Sequence, residues 1–463
     1  MCGIVGVSNH KEAAKIAFLG LYALQHRGEE AAGIVSYDGK KTNICKATGL
    51  IADAFNEESI KELKGKVAIG HSRYSTTGSS NTKNVQPFIV NHKNKPLAVS
   101  HNGNLTNTEA LYKRLEEGGS IFQTTMDSEL FVHLLAKTKN GDLKTWFINV
   151  LSEIQGAFSV VFLVGDVLVG ARDSQGFRPL CLGKLEEDGA YILASETCAL
   201  DLVKAEFIRE IEPGEIVFIK DGQIDSCFLP CDPNKNKSYC IFENIYFARP
   251  DSNIFDDNVY EVRKRLGVQL AREYPAQADF VMAIPDSGNY AAVGYAKELN
   301  LPLEIGMIRH HYIGRTFIQP SQFLRDFKVR VKLNPISAVI KGKKIIVVED
   351  SIVRGTTSRS RIAEIRKSGA KEIHMRITCP PIKFPCFYGI DFPQKKELVA
   401  STKTVQEIAD FIGVDTLGFL SLEGMLSVMK ESKNFCHACF SGHYPVAVPK
   451  TKSKYVLEGV THE

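Results

Sequence analysis

The chain has 463 residues, enough for two or three domains, with 44% apolar and 24% charged residues and a net charge of +4. That balance excludes wholesale electrostatic binding to nucleic acid or an anionic membrane, and no run reaches the roughly 18 apolar residues that a bilayer crossing needs. No basic leader precedes the short apolar run 17–24, so a cytoplasmic protein is expected. In that setting eleven cysteines read as reduced thiols, not as a disulfide framework.

In chain order, helical patterns near 11–25, 106–116 and 127–138 interrupt short β-like runs at 67–70, 97–100, 159–164, 191–194 and 216–219. Strands with helices on their outer faces predict a layered α/β domain. The polar stretch 229–238, with two prolines, reads as a linker. Beyond it the rhythm becomes strand–helix–strand. A buried run at 279–284 leads through Pro285-Asp286-Ser287-Gly288 to a helix over 289–299. A run at 344–348 leads through a loop to a helix over 357–368, and a strand follows at 372–378. This alternation predicts a doubly wound parallel sheet. Domains are therefore expected at 2–235 and 236–445, with a polar tail over 446–463.

Two stretches carry chemistry. In Met1-Cys2-Gly3, removal of Met1 would give Cys2 both a thiol and a free α-amine of pKa roughly 7.7–8.0, a nucleophile with its own base. Maturation by methionine removal is expected. Alone, a cysteine at position 2 is usually incidental. The second stretch runs from Ile345 to Ser358. A hydrophobic strand delivers Glu349 and Asp350 to a loop of Gly and hydroxyl residues that opens a helix. Backbone N–H groups there suit a phosphate, and the carboxylates suit ribose hydroxyls or a Mg²⁺ carrying pyrophosphate. The bland alternative is a strand end and a capped helix.

The full string resembles the PRPP loop of type I phosphoribosyltransferases. The resemblance implies that Ser351, Ile352, Val353, Arg354, Gly355, Thr356, Thr357 and Ser358 bind PRPP. It implies Ser287, Glu349 and Asp350 for Mg²⁺, with Glu349 one methylene longer than the usual aspartate. Arg309 and Arg315 suit phosphate groups. Arg325, Lys328, Arg330 and Lys332 are a solvated face or part of a lid.

The first half carries Gln25-His26-Arg27-Gly28, Gly70-His71-Ser72-Arg73-Tyr74, His101-Asn102-Gly103-Asn104 and Asp127-Ser128-Glu129. Each has an ordinary explanation: a turn, a solvated arginine, a helix cap. Behind an amino-terminal cysteine, they resemble together the glutaminase domain of amino-terminal-nucleophile amidotransferases, a four-layer αββα Ntn-hydrolase fold. By that resemblance Cys2 forms a glutamyl thioester, and Asn102 and Gly103 hold the oxyanion. Arg73 and Asp127 hold glutamine's carboxylate and ammonium. His26 and His71 are taken as structural.

Residues 2–445 thus resemble the glutamine phosphoribosylpyrophosphate amidotransferase family. The implied reaction converts glutamine, PRPP and water to 5-phosphoribosylamine, pyrophosphate and glutamate, with ammonia channelled between sites. The implied partners are purine nucleotide inhibitors and further copies in a homotetramer. Tyr260 is placed near the path of communication. Cys240, Cys386, Cys436 and Cys439 allow zinc, a redox pair or a cluster by spacing. They match the family's iron–sulfur branch, which implies one structural 4Fe–4S cluster. Cys45, Cys181, Cys198, Cys227, Cys231 and Cys379 read as buried apolar side chains. Two rivals are another amidotransferase, which the Glu349–Ser358 loop disfavours, and a nucleotide-sensing regulator on the phosphoribosyltransferase fold.

Overall fold

The computed structural model describes residues 1–74, 81–138, 141–186, 189–230, 237–310, 333–392, 394–449 and 457. The expected linker core and the basic stretch at 325–332 lie outside the described residues, as do Arg315 and Cys231.

The amino-terminal half is two antiparallel sheets, face to face. Sheet I runs in the order Glu206–Glu210, Cys181–Lys184, Tyr191–Ala194, Gly3–Ser8, Val67–Arg73, Ala31–Tyr37, Thr42–Thr48. Sheet II runs Gln223–Phe228, Glu215–Lys220, Val167–Arg172, Gly156–Val164, Lys95–Leu105, Phe88–His92. Strand residues alternate between faces, and the apolar pattern follows. Ile4, Ile69 and Leu193 of sheet I meet Ala98, Val161, Leu163 and Leu168 of sheet II in a dry layer between the sheets. Val5, Val7, Ile34 and Ile192 point the other way, onto the helix Ala13–Ala23 and the short helix Thr197–Leu202. On the outer face of sheet II, Val160, Phe162 and Phe218 pack under the helices Thr108–Glu117, Glu129–Lys137 and Leu143–Glu153. The result is the expected αββα layering. Both faces of the central strands are covered, so they read as apolar runs. The helix Leu143–Glu153 is absent from the sequence reading, although Asp142 caps it and Phe147, Val150 and Leu151 keep helical spacing.

The second half holds a parallel sheet III in the order Phe280–Ala283, Lys344–Glu349, Glu372–Ile377, Thr416–Phe419. The helices Val259–Glu273 and Asn289–Leu299 pack together, as do Thr356–Lys367 and Val405–Ile412. All the strands but Thr416–Phe419 were expected; that one is four residues long, too short for a distinct pattern. No helix among the described residues is long and apolar enough to cross a membrane.

A seam joins the halves. Tyr239–Cys240 pairs in parallel with Phe435–Cys436, setting Cys240 opposite Cys436. Ala157 and Phe177 of the first half pack against Phe387 and Tyr388 of the second. Val446 and Val448, placed by composition in the polar tail, pack here too, and the Tyr388 hydroxyl donates to the Val446 carbonyl at 2.5 Å.

Candidate active sites

Cys2 enters the strand Gly3–Ser8 at its edge nearest Arg73, because Gly3 pairs with Ser72. The Gly3 N–H donates to Ser72 Oγ at 3.2 Å and the Ile4 N–H to Ser195 Oγ at 3.0 Å, which anchors the chain start from both neighbouring strands. A small cavity opens beside Cys2, lined also by Arg73, Tyr74, Gln86, His101, Gly103, Met126 and Asp127. Four residues picked from sequence, Cys2, Arg73, Gly103 and Asp127, thus share one cavity. The fifth, Asn102, touches it through Cys2: the Cys2 N–H donates to Asn102 Oδ1 at 3.2 Å. Asn102 is fully buried, and among the described residues its Nδ2 has no hydrogen-bond partner. A buried donor without an acceptor costs about 1–3 kcal/mol, so the fold keeps it at a loss unless a ligand oxygen takes it. Gly103 has to be glycine, because a Cβ would collide with the Ala157 carbonyl across the sheet.

Charge in the cavity is set by burial against local partners. Burial pushes the Cys2 thiol up, while the positive chain-terminal amine, the backbone of Tyr74 and Arg73 pull it down; the net direction is up. Burial also penalises the Asp127 carboxylate, yet His101, the Leu105 N–H at 3.0 Å and Ser128 hold it below the usual range. Asp127 is therefore an anion facing the cavity. His71, fully buried and bonded at 3.1 Å to the His101 carbonyl, is pushed down to about 3 by burial, so it stays neutral at working pH. This agrees with a structural role.

A buried ion network behind Cys2 was missed from sequence. Arg27 donates through Nε to the Cys2 carbonyl at 2.9 Å, pairs with Glu243 at 2.8 Å and contacts Glu196. Glu196 also accepts from His26 at 2.8 Å and Ser252 at 2.7 Å. Arg27 sits in a quoted motif. Glu243 lies in Ile-Phe-Glu-Asn, where no pattern marks it. Such a pair, excluded from water, ties the Cys2 backbone to the second half.

The second site stands at the carboxyl end of sheet III, as doubly wound sheets place ligands. Strand Lys344–Glu349 ends on the two carboxylates. Asp350 accepts from the hydroxyls of Ser287 and Ser351, so the Pro285–Gly288 turn and the 350–355 loop meet there. Glu349 turns away, pairing with Arg361 and accepting from Ser358 at 3.1 Å. Burial raises Asp350, and raises Glu349 to about 7 despite Arg361. The loop residues divide. Ile352 and Ser358 are buried in the fold, whereas Arg354, Thr356 and Thr357 are exposed. Gly355 precedes the helix Thr356–Lys367 with φ +76°, a left-handed turn that glycine takes at least cost, and among the described residues no side chain caps the helix. Its first-turn N–H groups remain for an anion. A cavity of about 390 Å³ runs from Pro285 and Asp286 to Arg309, which pairs with Asp286.

The four cysteines gather at the seam. Cys240 lies opposite Cys436 in the parallel pair, and Cys439 is near enough to Cys386, Cys436 and Cys240, and also to Cys379, for their charges to be felt. The Tyr388 N–H points at Cys386 Sγ, 3.3 Å away. Among the described residues, no group of three or more Cys, His, Asp or Glu is spaced for a single metal ion.

Comparison with known proteins returns the same two halves. Residues 71–202 match the glutamine amidotransferase domain family, and 252–415 the phosphoribosyl transferase domain family. The chain is 47% identical over 98% of its length to amidophosphoribosyltransferase 1, chloroplastic, of Arabidopsis thaliana, covering 80% of that protein. The glutamine PRPP amidotransferase of B. subtilis, solved with ADP and GMP, superposes with a TM-score of 0.91 at 45% identity, covering 98% of this chain and 99% of that one. A structure described as the allosteric regulatory enzyme of purine biosynthesis superposes with a TM-score of 0.93 at 44% identity over all of both chains.

Proposed function

We infer the division of labour within this chain from one premise: it belongs to the amidophosphoribosyltransferase family. The enzyme transfers ammonia from glutamine to PRPP, giving 5-phosphoribosylamine, pyrophosphate and glutamate, the first step of de novo purine synthesis. In our reading Cys2 attacks the glutamine amide, once its amine is free of the residue before it and can take up the thiol proton. Asn102 Nδ2 and the Gly103 N–H receive the oxyanion, and Arg73 and Asp127 hold the two charged ends of glutamine. The observation that carries this is the buried, unpartnered Asn102 Nδ2 beside the Cys2 nitrogen.

At the second site PRPP phosphate rests on the 351–358 loop and the open helix start. Mg²⁺ would be held by Asp350 with Ser287, a hard-oxygen set that suits it, and would neutralise the leaving pyrophosphate. Glu349, engaged by Arg361 and Ser358, supplies charge from behind. Cys240, Cys386, Cys436 and Cys439 would hold one 4Fe–4S cluster. The nearness of these thiols along one seam supports that choice. Its role would be to fasten the seam. Burial holds the free Cys240 thiol up at about 11, so unligated it would stay protonated. Purine nucleotides would inhibit, a reading supported by the ADP and GMP in the B. subtilis structure, and a homotetramer is the proposed assembly. We place the domain boundary near 235.

The test is glutamate and pyrophosphate release by anaerobically purified protein with glutamine and Mg²⁺, with and without PRPP. One-to-one release that needs PRPP supports the coupled sites; glutamate without pyrophosphate overturns the second. Iron and sulfide analysis of the same sample tests the cluster against zinc.

A further inference from the structure

The proposed oxyanion donors are backed by a segment from the other half of the chain. Asn104 Nδ2 donates to the Phe387 carbonyl at 3.0 Å. Arg178, fully buried, donates through Nε to the Tyr388 carbonyl at 3.0 Å, and its Nη2 reaches the same oxygen. Arg178 is itself held by Glu243 at 3.4 Å. Gly389 comes next, at φ +103°. It lies so close to the strand Lys95–Leu105 that a Cβ would stand 3.0 Å from the Gly103 carbonyl carbon, 3.1 Å from its oxygen and 3.2 Å from Arg178 Nη2. On its other flank, the strand is fixed by pairing with Gly156–Val164 and by Asp127, which accepts from the Leu105 N–H.

An oxyanion donor works only if its N–H stands within about 2.7–3.1 Å of the developing charge, so a shift of a few tenths of an ångström in Gly103 matters. We propose that the segment 387–389, clamped by Arg178 and Asn104, is the wall that sets the position of Gly103, making Arg178 and Asn104 positioning residues for glutamine cleavage. The inference rests on the assignment of Asn102 and Gly103 above. It also gives the cysteine seam a use beyond holding the halves together. Cys386 directly precedes the wall, and the Tyr388 N–H points at its sulfur, so the seam's folding is felt at the glutamine site.

Removing Arg178 would leave the Tyr388 carbonyl without its buried donor and take from Glu243 one of its two guanidinium partners, so gentler variants are the probes. Gly389→Ala and Asn104→Ala are made in the full chain. Three rates are followed: glutamine hydrolysis, pyrophosphate release driven by added ammonia, and alkylation of Cys2 by iodoacetamide, read by mass spectrometry of its peptide. Alkylation and ammonia use need no oxyanion hole. The expected result for Gly389→Ala is a fall of about tenfold or more in glutaminase kcat, with KM for glutamine, ammonia-driven release and alkylation each within about twofold. Asn104→Ala shows the same split, more weakly. An unchanged kcat, a rise in KM alone, or a parallel fall in all three rates overturns the proposal, the last because the segment would then merely hold the fold. Asn102→Ala is run alongside. If it leaves glutaminase intact, the assignment of the oxyanion hole fails; if it cuts kcat while Gly389→Ala does not, only the wall fails.

Discussion

In the cavity beside Cys2 the groups assigned to glutamine are buried: Asn102 and Arg73, on antiparallel strands, are 0% and 3% exposed, and Asp127, in the turn before the helix Glu129–Lys137, is 5% exposed. At the end of sheet III the corresponding groups are split. Asp350 is buried and hydrogen-bonded, while Arg354, Thr356 and Thr357 stand in solvent. The first site is finished before its ligand arrives, so its side chains carry the chemistry. The second is a parallel-strand end with an open helix start, where the backbone carries much of it and the ligand supplies the missing partners. Side-chain deletion should therefore cost the first site more.

The sharpest contrast is Asn102→Ala. Loss of one oxyanion donor lowers glutaminase kcat by roughly 10²–10³, about 2.7–4 kcal/mol of barrier, with KM nearly unchanged. Steady-state hydrolysis at saturating glutamine measures it. A rise in KM at constant kcat would make Asn102 a binding group and weaken the contrast.

The two sites also differ in how stability answers pH. His71 remains neutral down to about 3 in the fold, while in the unfolded chain it protonates near its ordinary 6.5. Between those values the unfolded state binds the extra proton, so stability falls as pH falls through that window, by at most about 1.4 kcal/mol per pH unit. Glu349 has the opposite sign. Raised from 4.5 to about 7, it keeps its proton in the fold after the unfolded chain has lost it, so stability falls as pH rises from 4.5 to 7. Urea unfolding across pH should show His71→Gln losing the acid slope and Glu349→Gln losing the other. A Glu349→Gln profile parallel to the parent's would mean that Arg361 holds Glu349 ionised throughout.

Both architectures were legible from period and punctuation. Short β-like apolar runs marked the sandwich strands, and Gly or Pro breaks between apolar runs and helices marked the parallel sheet. The residues assigned to glutamine fall in short motifs far apart in sequence, and the fold brings Cys2, Arg73, Gly103 and Asp127 of them to one cavity. Glu243 and Glu196 were not legible, because a buried acid takes its meaning from a partner such as Arg27 far away in sequence. Nor does the string Glu349–Ser358 say which residues face the ligand. Glu349 looks inward because Arg361, one helix turn past Ser358, draws it there.

Within the loop, Gly355→Ala tests backbone geometry. At φ +76° an alanine costs about 1–2 kcal/mol, and its Cβ would sit 3.2 Å from the Phe411 ring. Thermal unfolding should show that loss together with a higher KM for PRPP, since the helix start must shift. Lost stability with an unchanged KM would leave the turn a structural feature only.

The smallest effect on stability is expected at Arg354, whose guanidinium bonds the Glu397 carboxylate at 2.8 and 3.0 Å with both side chains largely in solvent. Such exposed pairs contribute less than about 1 kcal/mol, so Arg354→Ala should leave the unfolding midpoint nearly in place. Its effect should appear instead in KM for PRPP, raised about tenfold by the loss of one charge-assisted phosphate contact. Glu397→Ala frees the same arginine and should leave that KM unchanged or lower it. If both variants instead lowered stability equally and left KM alone, Arg354 would be a strut between the loop and the turn at Lys395–Glu397, and phosphate binding would rest on the backbone of the helix start alone.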